Sequence, residues 1–170
     1  MRAVSLWEPW ATLVAVGEKQ VETRSWETKH RGPIAIHASK EMRRLARAVC
    51  TEEPFRSALA RHNIKPWLHH DIEDAFPGRG CIIGLVSIVD IVPTGGNRES
   101  QMMRDLYADP ADRRREYALG DYAAGRYCWR LELPILLSVP IPCRGYQQIW
   151  ELPPDIEQEF VVAVREAHER

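Results

Sequence analysis

Hydrophobic and polar positions along this chain predict short strands broken up by short helices. Ala3 to Leu6 reads as an opening strand. Beyond Pro9, which suits a first helical turn, Trp10, Leu13 and Val14 recur at helical spacing, and Gly17 supplies a left-handed stop. From Gln20 to Arg24 the period becomes two, with Val21 and Thr23 on one face and Gln20, Glu22 and Arg24 on the other. A strand over Ile34 to Ala38 follows, after which Ser39 is placed to cap a helix carrying a Met42, Leu45, Ala46 and Val49 stripe. Pro54 starts another short helix with Phe55, Ala58 and Leu59 on its apolar side.

Asn63 to Gly80 has no clear period, but its Trp67 and Phe76 need packing partners, so it reads as an ordered surface excursion. Cys81 to Val92, rich in Ile and Val, is the central strand, broken by Pro93-Thr94-Gly95-Gly96. Polar helices run to Leu119, with Pro110 starting the second. Tyr127 to Leu133 alternates as a half-buried strand, and Ile135 to Ile141 is a further strand closed by Pro140 and Pro142. Asp155 to His168 is a helix with Ile156, Phe160 and Val164 on one side. The pattern predicts an α+β fold: a mixed, partly antiparallel pseudo-barrel of five or six strands with flanking helices. Residues 1–170 form one domain, a length that buries roughly 70% of the unfolded surface.

Composition narrows the function classes. No apolar run approaches about 18 residues, so no membrane contact is expected. The first residues lack the apolar core of a secretory signal, and the four cysteines form no Cys-x-x-Cys pair. Reduced thiols in a cytoplasmic, monomeric protein without metal or cofactor are the expectation. No glycine-rich phosphate or dinucleotide motif occurs. A net charge of −1 excludes a polycationic nucleic-acid coat, but it conceals an asymmetry. Lys19 to Arg47 holds eight basic residues against three acidic ones, whereas Glu151 to Arg170 holds six acidic against two basic. That imbalance suits either one anion-binding face or two solvated helix faces.

The densest chemistry lies in Gly17-Glu18-Lys19-Gln20-Val21-Glu22-Thr23-Arg24. Charged groups converging beside a helix end are costly unless they pair or meet a ligand, so a surface ion pair and a binding site stand level here. The spacing Gly-x-Lys-x-x-Glu-x-Arg resembles the signature of the ASCH (activating signal cointegrator homology) domain family of the PUA-like superfamily. Ser5-Leu6-Trp7-Glu8-Pro9-Trp10 resembles that family's opening strand and helix, and Arg31 to Lys40 its second block. Gly125-Arg126-Tyr127-Cys128-Trp129 and Pro140-Ile141-Pro142-Cys143-Arg144-Gly145 fit it too.

The resemblance implies a PUA-like pseudo-barrel with a cleft suited to RNA or a modified nucleobase. Lys19 and Arg24 would donate to phosphate or base oxygens, Glu22 would accept from an exocyclic amine, and Trp7 or Trp26 would stack on a base. His37 and Lys40 join the candidate ligand-binding residues, His37 either bordering the cleft or bonding near Ser39. Trp10 reads as core. Some relatives in the superfamily hydrolyse N4-acetylcytidine with a lysine, a threonine and a glutamate, and others have been ascribed ribonuclease activity. As an enzyme, this chain would use Lys19, with a third group among Glu99 and Glu116. Glu22 stands where the threonine would be. The adjacent His69 and His70 read as polar loop, and Arg113-Arg114-Arg115 as a solvated helix face.

Overall fold

Alternating residues with β-branched side chains build the sheet, and the computed structural model describes residues 1–169 of it and its helices. The strands are β1 (Arg2–Leu6), β2 (Val21–Arg24), β3 (Gly32–Ala38), β4 (Cys81–Pro93), β5 (Tyr127–Pro142) and β6 (Ile149–Glu151). They form one curled, mixed sheet in the order β2-β5-β4-β3-β1-β6, in which only β1 and β3 run parallel. The helices are α1 (Trp10–Ala15), α2 (Arg44–Val49), α3 (Phe55–Arg61), α4 (Asn97–Leu106), α5 (Pro110–Ala118) and α6 (Pro154–His168). No described helix is long and apolar enough to cross a membrane. All four cysteines are free thiols.

Three expectations change. The two strands expected over 127–133 and 135–141 are one strand, β5, which bends where Leu133 takes a φ of +53° and its register to β4 shifts. The alternation breaks at that bend, so the sequence reads as two strands. The sixth strand is instead β6, too short for periodicity to announce, which adds to β1 through Ala3↔Trp150. Ser39 does not cap a helix. Its N–H bonds Leu6 O and prolongs the β1–β3 ladder, α2 starts five residues later, and Leu45 points into solvent at 69% exposure.

The concave face of the sheet packs Val4, Leu6, Ile34, Ile36, Ile88, Trp129 and Leu131 under Ala11 and Val14 of α1. The convex face is split. Ala3, Ala35, Ile82 and Trp150 pack on Phe160 of α6, while Val21, Val92 and Cys128 pack on Met102 and Met103 of α4. A fourth apolar cluster joins Leu13 of α1 to α2, α3 and the excursion, whose Phe76 is 2% exposed. The two turns of 3-10 helix at Pro66–Leu68 and Ile72–Ala75 bear out the reading of that segment as ordered.

Candidate functional site

The signature segment divides by strand period into an anchored half and an open half. Gly17 ends α1 at φ +79°, and Lys19 N–H returns to Leu13 O, which turns the chain into β2. Val21 and Thr23 then face the helices. Glu22 and Arg24 pair in register with Trp129 and Tyr127 and lie on the concave face with them.

Lys19 belongs to the anchored half. It is 1% exposed, its Nζ lies 3.2 Å from Glu116 Oε1 and it donates to Val21 O. Glu116, 2% exposed on α5, is saturated: it accepts from Lys19, Gln20 N–H, Val21 N–H, Tyr107 Oη and Tyr122 Oη. Burial and the Glu116 charge hold both phenols well above the ordinary tyrosine range. Of the two glutamates left open by the sequence, the fold brings Glu116 to Lys19. It places Glu99 against Gly95 N–H and the Tyr117 hydroxyl instead.

The open half is small and polar. Arg24 Nε lies 3.1 Å from Glu22 Oε1, and both side chains are part-exposed, at 23% and 13%. Arg24 Nη2 donates to Ser5 O at 2.9 Å. That carbonyl lies beyond the last β1–β6 pair, Val4↔Ile149, so the guanidinium takes the position a longer β6 would fill. Two residues on, Trp7 is 40% exposed with the Arg43 guanidinium over its ring, 3.8 Å from the centroid. Among the described residues Arg43 has no carboxylate partner. The sequence places Arg43 in the basic segment but gives no signal that connects it to Trp7.

The other expected site residues are dispersed. Trp26 stands edge-to-face on Trp129, with centroids 4.8 Å apart, and joins the concave core. His37 is 3% exposed on the convex face, where its Nε2–H donates to Cys143 O at 3.0 Å. Burial lowers its pKa, against the raising effect of that carbonyl, so the ring is neutral and Nδ1 is a bare acceptor. Lys40 is exposed beside a concavity of about 300 Å³ that Glu73, Asp74, Phe76, Pro77 and Arg79 also line; Lys19, Glu22 and Arg24 do not. Trp10 is core, donating to Leu119 O and meeting Phe55 edge-on. His69 and His70 are exposed, and no metal-holding cluster occurs among the described residues. Of Arg113-Arg114-Arg115, Arg115 pairs with Glu18 and Arg113 donates to Tyr107 O and Ala108 O, leaving Arg114 in solvent.

Comparison with known proteins agrees with this architecture. A family model described as "ASCH domain" matches residues 4–152. Activating signal cointegrator 1 of Homo sapiens is 24% identical over 155 residues, covering 91% of this chain and 23% of that protein. The Mus musculus protein gives the same figures, so the chain spans about a quarter of the length of these curated relatives. The crystal structure of ASCH from Zymomonas mobilis superposes with a TM-score of 0.51 at 16% identity, covering 95% of this chain and 93% of that one. A point mutant of that Zymomonas mobilis protein gives 0.50 at 15% identity, covering 95% and 96%. At such identities the likeness speaks to the fold.

Proposed function

The chain belongs to the ASCH domain family, and from that premise we propose that it binds single-stranded RNA, or a nucleobase or modified nucleoside presented by one, at the end of β1. The observation that carries this reading is the Arg24–Ser5 hydrogen bond, which sets the Glu22–Arg24 pair two residues from an exposed tryptophan. A carboxylate acceptor, a guanidinium donor and an aromatic plane are the three groups needed to hold an unpaired base by its edge and its face. Arg43, together with Lys40 and Arg44 beside it in the sequence, supplies positive charge for the adjoining phosphates. In this reading Lys19 and His37, buried on other partners, and Trp26, half-buried against Trp129, do not touch the base.

A hydrolytic reading has less support. Lys19 and Glu116 are side by side, but both are buried and every Glu116 oxygen is already bonded. A base or nucleophile needs an open side towards its substrate.

Fluorescence anisotropy of a labelled RNA octamer at several salt concentrations tests the proposal. Trp7→Ala and Arg24→Ala should each weaken binding roughly tenfold, given about 1–3 kcal/mol per base stack or bidentate contact. Melting temperatures should move little. Wild-type protein that fails to bind at low salt, or variants that melt early yet bind as before, would refute it. Incubation with N4-acetylcytidine should release no cytidine that depends on Lys19.

A further inference from the structure

Resting on that reading, we propose that the 143–148 loop carries a second base-stacking position, Tyr146 with Arg144, so that the site accommodates a run of at least two nucleotides of single-stranded RNA. Tyr146 is 51% exposed, and the Arg144 guanidinium lies 5.5 Å from its ring centroid. This repeats the Trp7–Arg43 arrangement: an exposed aromatic ring attended by an arginine that has no carboxylate partner among the described residues. Asp155, whose field reaches Cys143 at the foot of the loop, is paired with neither arginine.

Contacts connect the two positions. The Tyr146 ring lies 5.4 Å from that of Trp150, Trp150 Nε1 donates to Ser5 Oγ at 3.2 Å, and Ser5 O is the acceptor held by Arg24. Ser5 in turn stands two residues from Trp7. The path therefore runs Tyr146, Trp150, Ser5 with Arg24, then Trp7 with Arg43, across the end of β1.

The loop is also held in place. His37 bonds Cys143 O, and Gly145 sits so close to the sheet that a Cβ on it would stand 2.3 Å from His37 Cε1 and 2.7 Å from Ser5 Oγ. Only glycine permits that approach. The buried, neutral His37 is thus a positioning residue for the loop, and Tyr146 is preorganised rather than tethered by a slack segment. Aromatic rings that accept bases in succession, with arginines along the phosphates, are how single strands are bound without base-pair readout.

The test measures wild type, Tyr146→Ala, Tyr146→Phe, Arg144→Glu and Trp7→Ala by anisotropy with a labelled octamer of uridylate, and by competition with uridine monophosphate. Tyr146→Ala should lose roughly tenfold in octamer affinity and leave the monophosphate unchanged, while Tyr146→Phe retains wild-type binding of both. Arg144→Glu, exposed and safe for folding, should weaken the octamer and make the salt slope shallower by about 0.7. Trp7→Ala should weaken both ligands. If Tyr146→Ala and Arg144→Glu bind the octamer like wild type while Trp7→Ala does not, the second position is refuted and the site at Trp7 stands. If wild type binds neither ligand, the site itself is refuted.

Discussion

Glu8 is a carboxyl group 1% exposed at the head of α1, where Thr12 N–H and Oγ1–H both donate to it. Burial raises its pKa from 4.5 to about 7, while the Thr12 bonds and the charge of Arg79 oppose that shift. Burial, more than the neighbouring Glu8, pushes the Cys50 thiol up to about 12. Because the folded value of Glu8 is raised, the native state keeps a proton that the unfolded chain releases. The stability from this group is therefore complete below pH 4.5 and is lost as pH rises to about 7, about 3 kcal/mol in all. Glu8→Gln removes the titration, so its stability relative to the parent should rise by about that amount between pH 4.5 and 8 in denaturant unfolding. A constant difference across that range would disprove the assignment. Lys19 and Glu116 form a buried ion pair whose members need each other. Lys19→Met alone should cost about 3–5 kcal/mol. Glu116→Leu should cost more, because it also leaves Gln20 N–H, Val21 N–H and two tyrosine hydroxyls without their acceptor, and the double variant should cost less than the sum of the two. Simple additivity in a double-mutant cycle would show that the pair is not coupled. The sequence announces the charged cluster, but it cannot say that Lys19 is interior and Arg24 open. That depends on α5 arriving from 97 residues away.

Elements are legible where period and punctuation agree. Gly17 reads as the stop of α1, and the structure gives it a positive φ and a second constraint, since a Cβ there would stand 2.8 Å from Pro134 Cγ. Gly17→Ala should therefore destabilise by about 1–3 kcal/mol and lower the melting temperature by several degrees; an unchanged melting temperature would contradict both constraints. The alternation of Val21 and Thr23 against Glu22 and Arg24 assigns the faces of β2 correctly, because a two-residue period admits two answers and only one buries the apolar pair. The same logic fails at β5. Leu133, in the left-handed region, resets the alternation without ending the ladder, and a bend inside one strand looks like a gap between two. Leu45 fits an apolar stripe by spacing, but α2 is only six residues long and turns Ala46 inward, joined in the same cluster by Met42 before the helix and Cys50 after it. Short helices take their inward face from what surrounds them rather than from their own period. Tyr146 carries no such signal, because no period marks a short loop, although prolines and a glycine punctuate the adjoining 140–145 turn.

For the whole molecule, part of the charge asymmetry of the sequence becomes a direction along β1: Lys40, Arg43 and Arg44 follow β3 past the C-terminal end of β1, whereas Arg31 precedes β3, which runs parallel to β1, and stays near the N-terminal end. Glu157 pairs with the Met1 amine and Glu151 stands opposite Arg2, which puts acidic groups beside the N-terminal end of the strand. Trp7, Arg43 and the start of α2 lie past its C-terminal end, and Ser39 N–H on Leu6 O ties Lys40 to the same end. From Arg2 to Trp7 the chain rises about 16 Å at roughly 3.3 Å per residue, more than the Debye length of about 10 Å at 0.1 M salt. At that separation the acidic end neither cancels the basic one near physiological salt nor needs to be overcome by it. A net charge of −1 is thus compatible with binding a polyanion at one end. Removing charge at the two ends should then have unequal effects. Arg43→Gln with Arg44→Gln should reduce RNA affinity roughly tenfold at 0.1 M salt and flatten the dependence of log K on log salt by about 0.7 for each phosphate no longer neutralised. Glu151→Gln with Glu157→Gln should change affinity less than about twofold at 0.1 M salt and leave the slope as it was. At 0.01 M salt, where the Debye length extends to about 30 Å, the same acidic pair should become visible as a gain in affinity. Matching losses from both pairs at 0.1 M would mean that RNA responds to the overall charge and not to one end of the strand.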